Sequence, residues 1–89
     1  MPERSEIRET LIELLESDTG EKFSDLEDAK NLRDDLGLDS VDVVSIVSQI
    51  ERRFRIRLTH LELEKLVTVG DVLTLLQDKL ANPPENAAA

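Results

Sequence analysis

The chain has 89 residues, a formal net charge of −9, only two aromatic residues (Phe23 and Phe54) and no cysteine. A chain this short makes one small domain, which buries roughly 60–65% of the surface its unfolded form exposes, and without cysteine it has no disulfide, no thiolate metal site and no cysteine nucleophile. The charge is uneven, with 15 acids against 5 bases up to residue 51 and 5 against 6 beyond it, which argues against nucleic acid as a ligand and for partners with basic surfaces.

The first predicted element runs from about Glu3 to Ser17. Ile7, Leu11, Leu14 and Leu15 form one stripe, and Glu6, Glu9, Glu13 and Glu16 lie mostly on the other side, the pattern of an amphipathic helix. Asp18-Thr19-Gly20 ends it. The next eighteen or so residues carry scattered apolar anchors at Phe23, Leu26, Leu32 and Leu36. A connection that long is uncommon in a small domain unless it has a task or holds a turn of helix.

At Leu36-Gly37-Leu38-Asp39-Ser40-Val41-Asp42 a glycine breaks the loop, Asp39 or Ser40 can cap a new helix, and Asp42 puts negative charge in its first turn. A small nucleophilic hydroxyl at such a junction reads as a place for attaching a group. Ser40 as a plain helix cap is the simpler alternative.

From Ser40 to Phe54, a turn of 100° per residue gives two apolar faces. Val43, Ile46, Val47, Ile50 and Phe54 make the stripe expected to be buried. Val41 and Val44 lie opposite, beside Ser45, Ser48, Glu51 and Arg52, and form a candidate partner-facing patch; scattered surface valines are the alternative. Thr59 and Glu62 have capping-box spacing and start a short helix with Leu61, Leu63 and Leu66. Thr68 and Asp71 start a last one, where Val69, Val72, Leu73, Leu76 and Leu80 share a face. Asn82-Pro83-Pro84 stops it.

The expected fold is all-α: a small four-helix bundle over residues 1–81, with a long loop between helices 1 and 2, a short helix 3 and a disordered tail over 82–89. No apolar run approaches the roughly 20 residues that cross a bilayer, and Glu3, Arg4, Ser5 and Glu6 lack a signal-peptide pattern. A soluble cytoplasmic monomer without stable membrane insertion is expected. His60 is the single histidine and has no second ligand or acid to complete a catalytic or metal constellation. No catalytic residues and no metal site are expected, and Asp34 and Asp35 read as a solvated acidic pair.

Asp39-Ser40-Val41 resembles the Asp-Ser-Leu core of acyl carrier proteins, whose serine carries a 4'-phosphopantetheine arm derived from coenzyme A. The resemblance runs from about Leu32 to Leu80 and takes in Phe54, Glu62-Leu63-Glu64-Lys65-Leu66 and Thr68-Val69-Gly70-Asp71-Val72. It implies a carrier that is not itself an enzyme. Ser40 would bear the arm and a phosphopantetheinyl transferase would attach it, with Asp39 and Asp42 helping that enzyme and its divalent ion to bind. Acyl-loading and acyl-transfer enzymes would dock on Val41, Val44, Ser45, Ser48, Glu51 and Arg52, and the cargo would shelter among Val43, Ile46, Val47, Ile50 and Leu66. Fatty acid, lipid or specialised-metabolite synthesis would be its setting. Aminoacyl or peptidyl carriage, or an unmodified helical adaptor, are the alternatives; Asp39 leans toward acyl cargo.

The sequence departs from that family in two places. Ser45 stands where an acid is expected, and Glu51-Arg52-Arg53-Phe54-Arg55-Ile56-Arg57 is basic where the family is commonly acidic. Both departures point to a specialised carrier serving a smaller set of enzymes than the one of primary fatty acid synthesis; family drift, with the arginines in a solvated loop, is the alternative.

Overall fold

The computed structural model describes residues 3–23 and 26–81. Four helices follow one another, α1 (Arg4–Thr19), α2 (Ser40–Phe54), α3 (His60–Glu64) and α4 (Val69–Ala81), and no strand occurs among the described residues. The all-α bundle read from periodicity is the observed fold. The expected stop at Asn82-Pro83-Pro84 and the expected tail over 82–89 lie outside the described residues.

The apolar stripes of α1, α2 and α4 meet in one core. Ile7, Leu11, Leu14 and Leu15 from α1, Ile46, Val47 and Ile50 from α2, and Val69, Val72, Leu73 and Leu76 from α4 are all buried. Each large aliphatic side chain removed from water contributes about 1.5–3 kcal/mol. α1 runs two residues beyond the expected Ser17, because Gly20 takes a left-handed φ of 77° and returns its N–H to the Glu16 carbonyl.

α3 has no buried residue. The helix ends at Glu64, short of Leu66, which was expected within it; Leu63 and Leu66 are half-buried, Leu66 against the core, and Leu61 is exposed, so this segment lies over the core as a cover. Its capping box is complete: Thr59 accepts from the Glu62 N–H, and Glu62 accepts from the Thr59 N–H. α4 starts in the same way, with the Asp71 N–H on Thr68 Oγ1 at 3.2 Å and the Thr68 N–H on Asp71 Oδ2 at 3.0 Å.

The long connection is held at both faces. Leu26, Leu32 and Leu38 are buried, whereas Phe23 and Leu36, expected as anchors, are half-buried. Its backbone pairs with the α3–α4 link, the Leu32 N–H reaching the Val67 carbonyl and the Val69 N–H the Lys30 carbonyl, each at 2.9 Å. Asp28 receives Arg4 at 2.8 Å and is also paired with Arg8. Arg4 reaches on to Gln77 of α4 at 2.6 Å, and Arg8 donates to the Leu26 carbonyl. Gly70 fits against this clasp without a side chain: a Cβ there would stand 3.2 Å from the Asp28 carbonyl oxygen.

Candidate functional site

The loop delivers Ser40 to the head of α2 through three fixed points. The Leu38 side chain is buried, and its N–H donates to the Leu32 carbonyl at 3.0 Å. Gly37 before it turns with φ 71°, a conformation that costs a side-chain-bearing residue about 1–2 kcal/mol. Asp39 after it is extended and caps the helix: Oδ1 accepts from the Asp42 N–H at 2.9 Å, and Asp42 Oδ2 accepts from the Asp39 N–H at 3.2 Å.

Asp39 is therefore the cap and Ser40 the first helical residue. Ser40 is exposed, and its hydroxyl makes no hydrogen bond among the described residues. The plain-cap alternative for Ser40 is overturned, because the neighbouring carboxylate already fills that role. Asp39 is exposed and Asp42 half-buried. Both carboxylates lie at the positive end of the α2 dipole, where negative charge is favoured.

Along the outer face of α2, Val41 is 76% and Val44 58% exposed, and Ser48 and Arg52 are exposed as well. Ser45 and Glu51, expected on the same patch, have their polar atoms turned to the protein. Ser45 Oγ donates to Asp18 Oδ1 at 2.9 Å, linking α2 to the end of α1. Glu51 Oε2 accepts from the Leu58 N–H at 2.9 Å and fixes the chain after the helix. Two further apolar side chains that the sequence did not single out for docking are exposed, Leu61 on α3 and Val67 before α4. Their signal was leucine or valine in a segment too short to have a buried face.

The inner face gathers Val43, Ile46, Val47, Ile50 and Leu66, all five residues expected around a cargo, on one apolar pocket with Leu58 and Leu75. Its free space is about 20 Å³, little more than one water molecule requires. The pocket is a seam between packed side chains that opens only if they move apart.

His60 is exposed and pairs with Glu64 one turn on at 3.0 Å. Among the described residues no three His, Asp or Glu side chains are placed to hold a metal ion, and no helix is long and apolar enough to cross a membrane.

Residues 7–76 match the family model for the phosphopantetheine attachment site. The chain is 34% identical over 80 residues to an acyl carrier protein of Thermotoga maritima, an alignment covering 90% of this chain and 99% of that one. It is 34% identical over 87 residues to an acyl carrier protein of Saccharopolyspora erythraea, covering 98% and 92%. The crystal structure of an acyl carrier protein from Thermotoga maritima superposes with a TM-score of 0.84 at 23% identity, covering 91% of this chain and 94% of that one, a likeness of fold.

Proposed function

Because this chain belongs to the acyl carrier proteins, the family of the phosphopantetheine attachment site, we propose that it carries acyl groups on a 4'-phosphopantetheine arm borne by Ser40. The observation that supports this most directly is the Ser40 hydroxyl itself. It is exposed at the first position of α2 and released from capping by Asp39. Such a group can be reached from solvent without unfolding anything.

In the attachment reaction Ser40 Oγ forms a bond to the phosphorus that carries pantetheine in coenzyme A. The bond from that phosphorus to the bridging oxygen breaks, adenosine 3',5'-bisphosphate leaves with the electron pair, and the hydroxyl proton passes to a base on the phosphopantetheinyl transferase. Asp39 and Asp42 present negative charge to that enzyme's basic surface and to its divalent ion. When bound, the arm supplies a thiol that holds cargo as a thioester. The protein's other residues then dock and shelter: Val41, Val44, Ser48 and Arg52 meet the loading and transfer enzymes, with Ser45 and Glu51 bracing that face, and Val43, Ile46, Val47, Ile50 and Leu66 part to admit the cargo's first carbons.

The departures noted in the sequence support a narrower setting. Arginines at the end of α2 and Ser45 bonded to Asp18 fit a dedicated carrier with few enzymes, in lipid modification or specialised-metabolite synthesis, better than a general carrier of fatty acid synthesis.

Intact mass spectrometry after incubation with coenzyme A and a broad-specificity phosphopantetheinyl transferase tests the proposal. The wild type gains the mass of one arm, and Ser40→Ala gains none. A wild type that stays unmodified overturns the reading and leaves the bundle as a protein adaptor.

A further inference from the structure

Four arginines, Arg52, Arg53, Arg55 and Arg57, are exposed where α2 ends. Arg53 faces Glu13 of α1 at 3.5 Å. The other three form no ion pair among the described residues, in a chain whose net charge is −9. Arg52 and Arg53 lie in the last turn of α2, where cations complement the helix dipole. That accounts for two of them. Arg55 and Arg57 lie beyond the helix, and Arg55 occupies a left-handed position, φ 56°, that glycine fills with least strain.

This basic end is one helix length from the acidic end that carries Ser40, about 20 Å at 1.5 Å per residue. The separation exceeds the screening length of about 8 Å at physiological salt. The two ends therefore act on a partner as separate charges of opposite sign.

We propose that the arginine end of α2 is a second docking point that binds an acidic patch on a partner enzyme while that enzyme engages Ser40 at the other end. The inference rests on the carrier reading and adds the chemistry of the partner: basic or neutral where it meets the arm, acidic about 20 Å away. An anionic membrane fits less well. Lipid-surface segments need an apolar face to insert, but between the arginines Ile56 is buried and Phe54 half-buried, and the rest of the molecule is acidic.

The test uses the full chain after arm attachment and a fluorescent oligoglutamate peptide as probe, with anisotropy read at low and at physiological salt. Wild type binds the peptide with an affinity that falls as salt rises. The variant Arg52→Glu/Arg55→Glu/Arg57→Glu loses at least about tenfold, and the neutral set Arg52→Gln/Arg55→Gln/Arg57→Gln loses part of it while keeping the wild-type circular dichroism. Equal charge reversal at the exposed Lys22, Arg33 and Lys65 leaves binding closer to wild type, which separates a local surface from net charge. No binding by wild type at low salt, equal loss in both charge-reversed sets, or tighter binding to phosphatidylserine vesicles than to the peptide overturns the proposal. Arm attachment is read on the same samples: an arm gained without peptide binding sinks this inference alone, and no arm sinks the carrier reading.

Discussion

Asp39 and Ser40 are neighbours with side-chain oxygens of similar reach, and the division of labour between them determines what the site can do. Asp39 is extended and its carboxylate closes a two-way box with Asp42, so Ser40 enters the helix with its hydroxyl facing outward. Removing the cap should show in stability before anything else. Asp39→Ala is expected to cost about 1 kcal/mol in urea unfolding, whereas Asp39→Asn, which can still accept from the Asp42 N–H, should stay within about 0.5 kcal/mol of wild type. The asparagine variant then isolates the charge. Its rate of arm attachment falls if the Asp39 carboxylate assists the transferase and its ion, and this is measured by the time course of the mass shift. The choice between the two caps was not legible in the sequence, because both residue types cap well. It is settled by Leu38, whose burial places residue 39, and not residue 40, at the turn into the helix.

At the scale of elements, α2 is a two-sided rod whose faces should respond in opposite ways. Ile50 is 1% exposed, and Ile50→Ala should lower unfolding free energy by about 2–5 kcal/mol. Val41→Asp, on the open face, should leave stability within about 0.5 kcal/mol while slowing acyl transfer from the holo protein to a partner enzyme. The joints around the cover helix predict a response to acid. Asp28, hydrogen-bonded first by Arg4 and then Arg8, is held below the usual 3.8. Glu62 is held below 4.5 by the Thr59 N–H and then Lys79, and Asp71 below 3.8 by the Thr68 N–H. Each lowered pKa is stability present above the ordinary value and lost as pH falls through the lowered one. Acid should therefore loosen the connection around Asp28 and the starts of α3 and α4 first, seen in amide NMR spectra below about pH 4, and Asp28→Asn should remove the pH dependence near Gly70. The existence and faces of α1, α2 and α4 were legible here because aliphatic spacing repeats over three turns or more, and α3 was legible only through the capping-box spacing of Thr59 and Glu62. The clasp was not: Arg4, Asp28 and Gln77 are far apart in sequence, and no local pattern marks a loop pinned by such contacts. Ser45 on Asp18 and Glu51 on the Leu58 N–H were hidden for the same reason.

Over the whole molecule, charge divides along α2 instead of spreading evenly. The acids concentrate before residue 51, and four of the arginines lie between 52 and 57. This asymmetry was legible from the sequence, since it needs only counting, but its meaning depends on exposure: a buried arginine run would steer nothing, whereas these side chains are open to solvent, Arg53 being the one that faces an acid, Glu13. Long-range steering acts on encounter rate and fades with salt. A transacylase with a basic docking face should therefore load this protein slowly. Exchanging Arg52, Arg53, Arg55 and Arg57 for glutamate should raise the loading rate at low ionic strength by about tenfold or more, with the gain shrinking toward physiological salt. The measurement is the initial rate of acyl transfer onto the holo protein at several salt concentrations. A rate unchanged by the exchange at every salt concentration would mean that the arginines do not govern which enzymes this carrier meets.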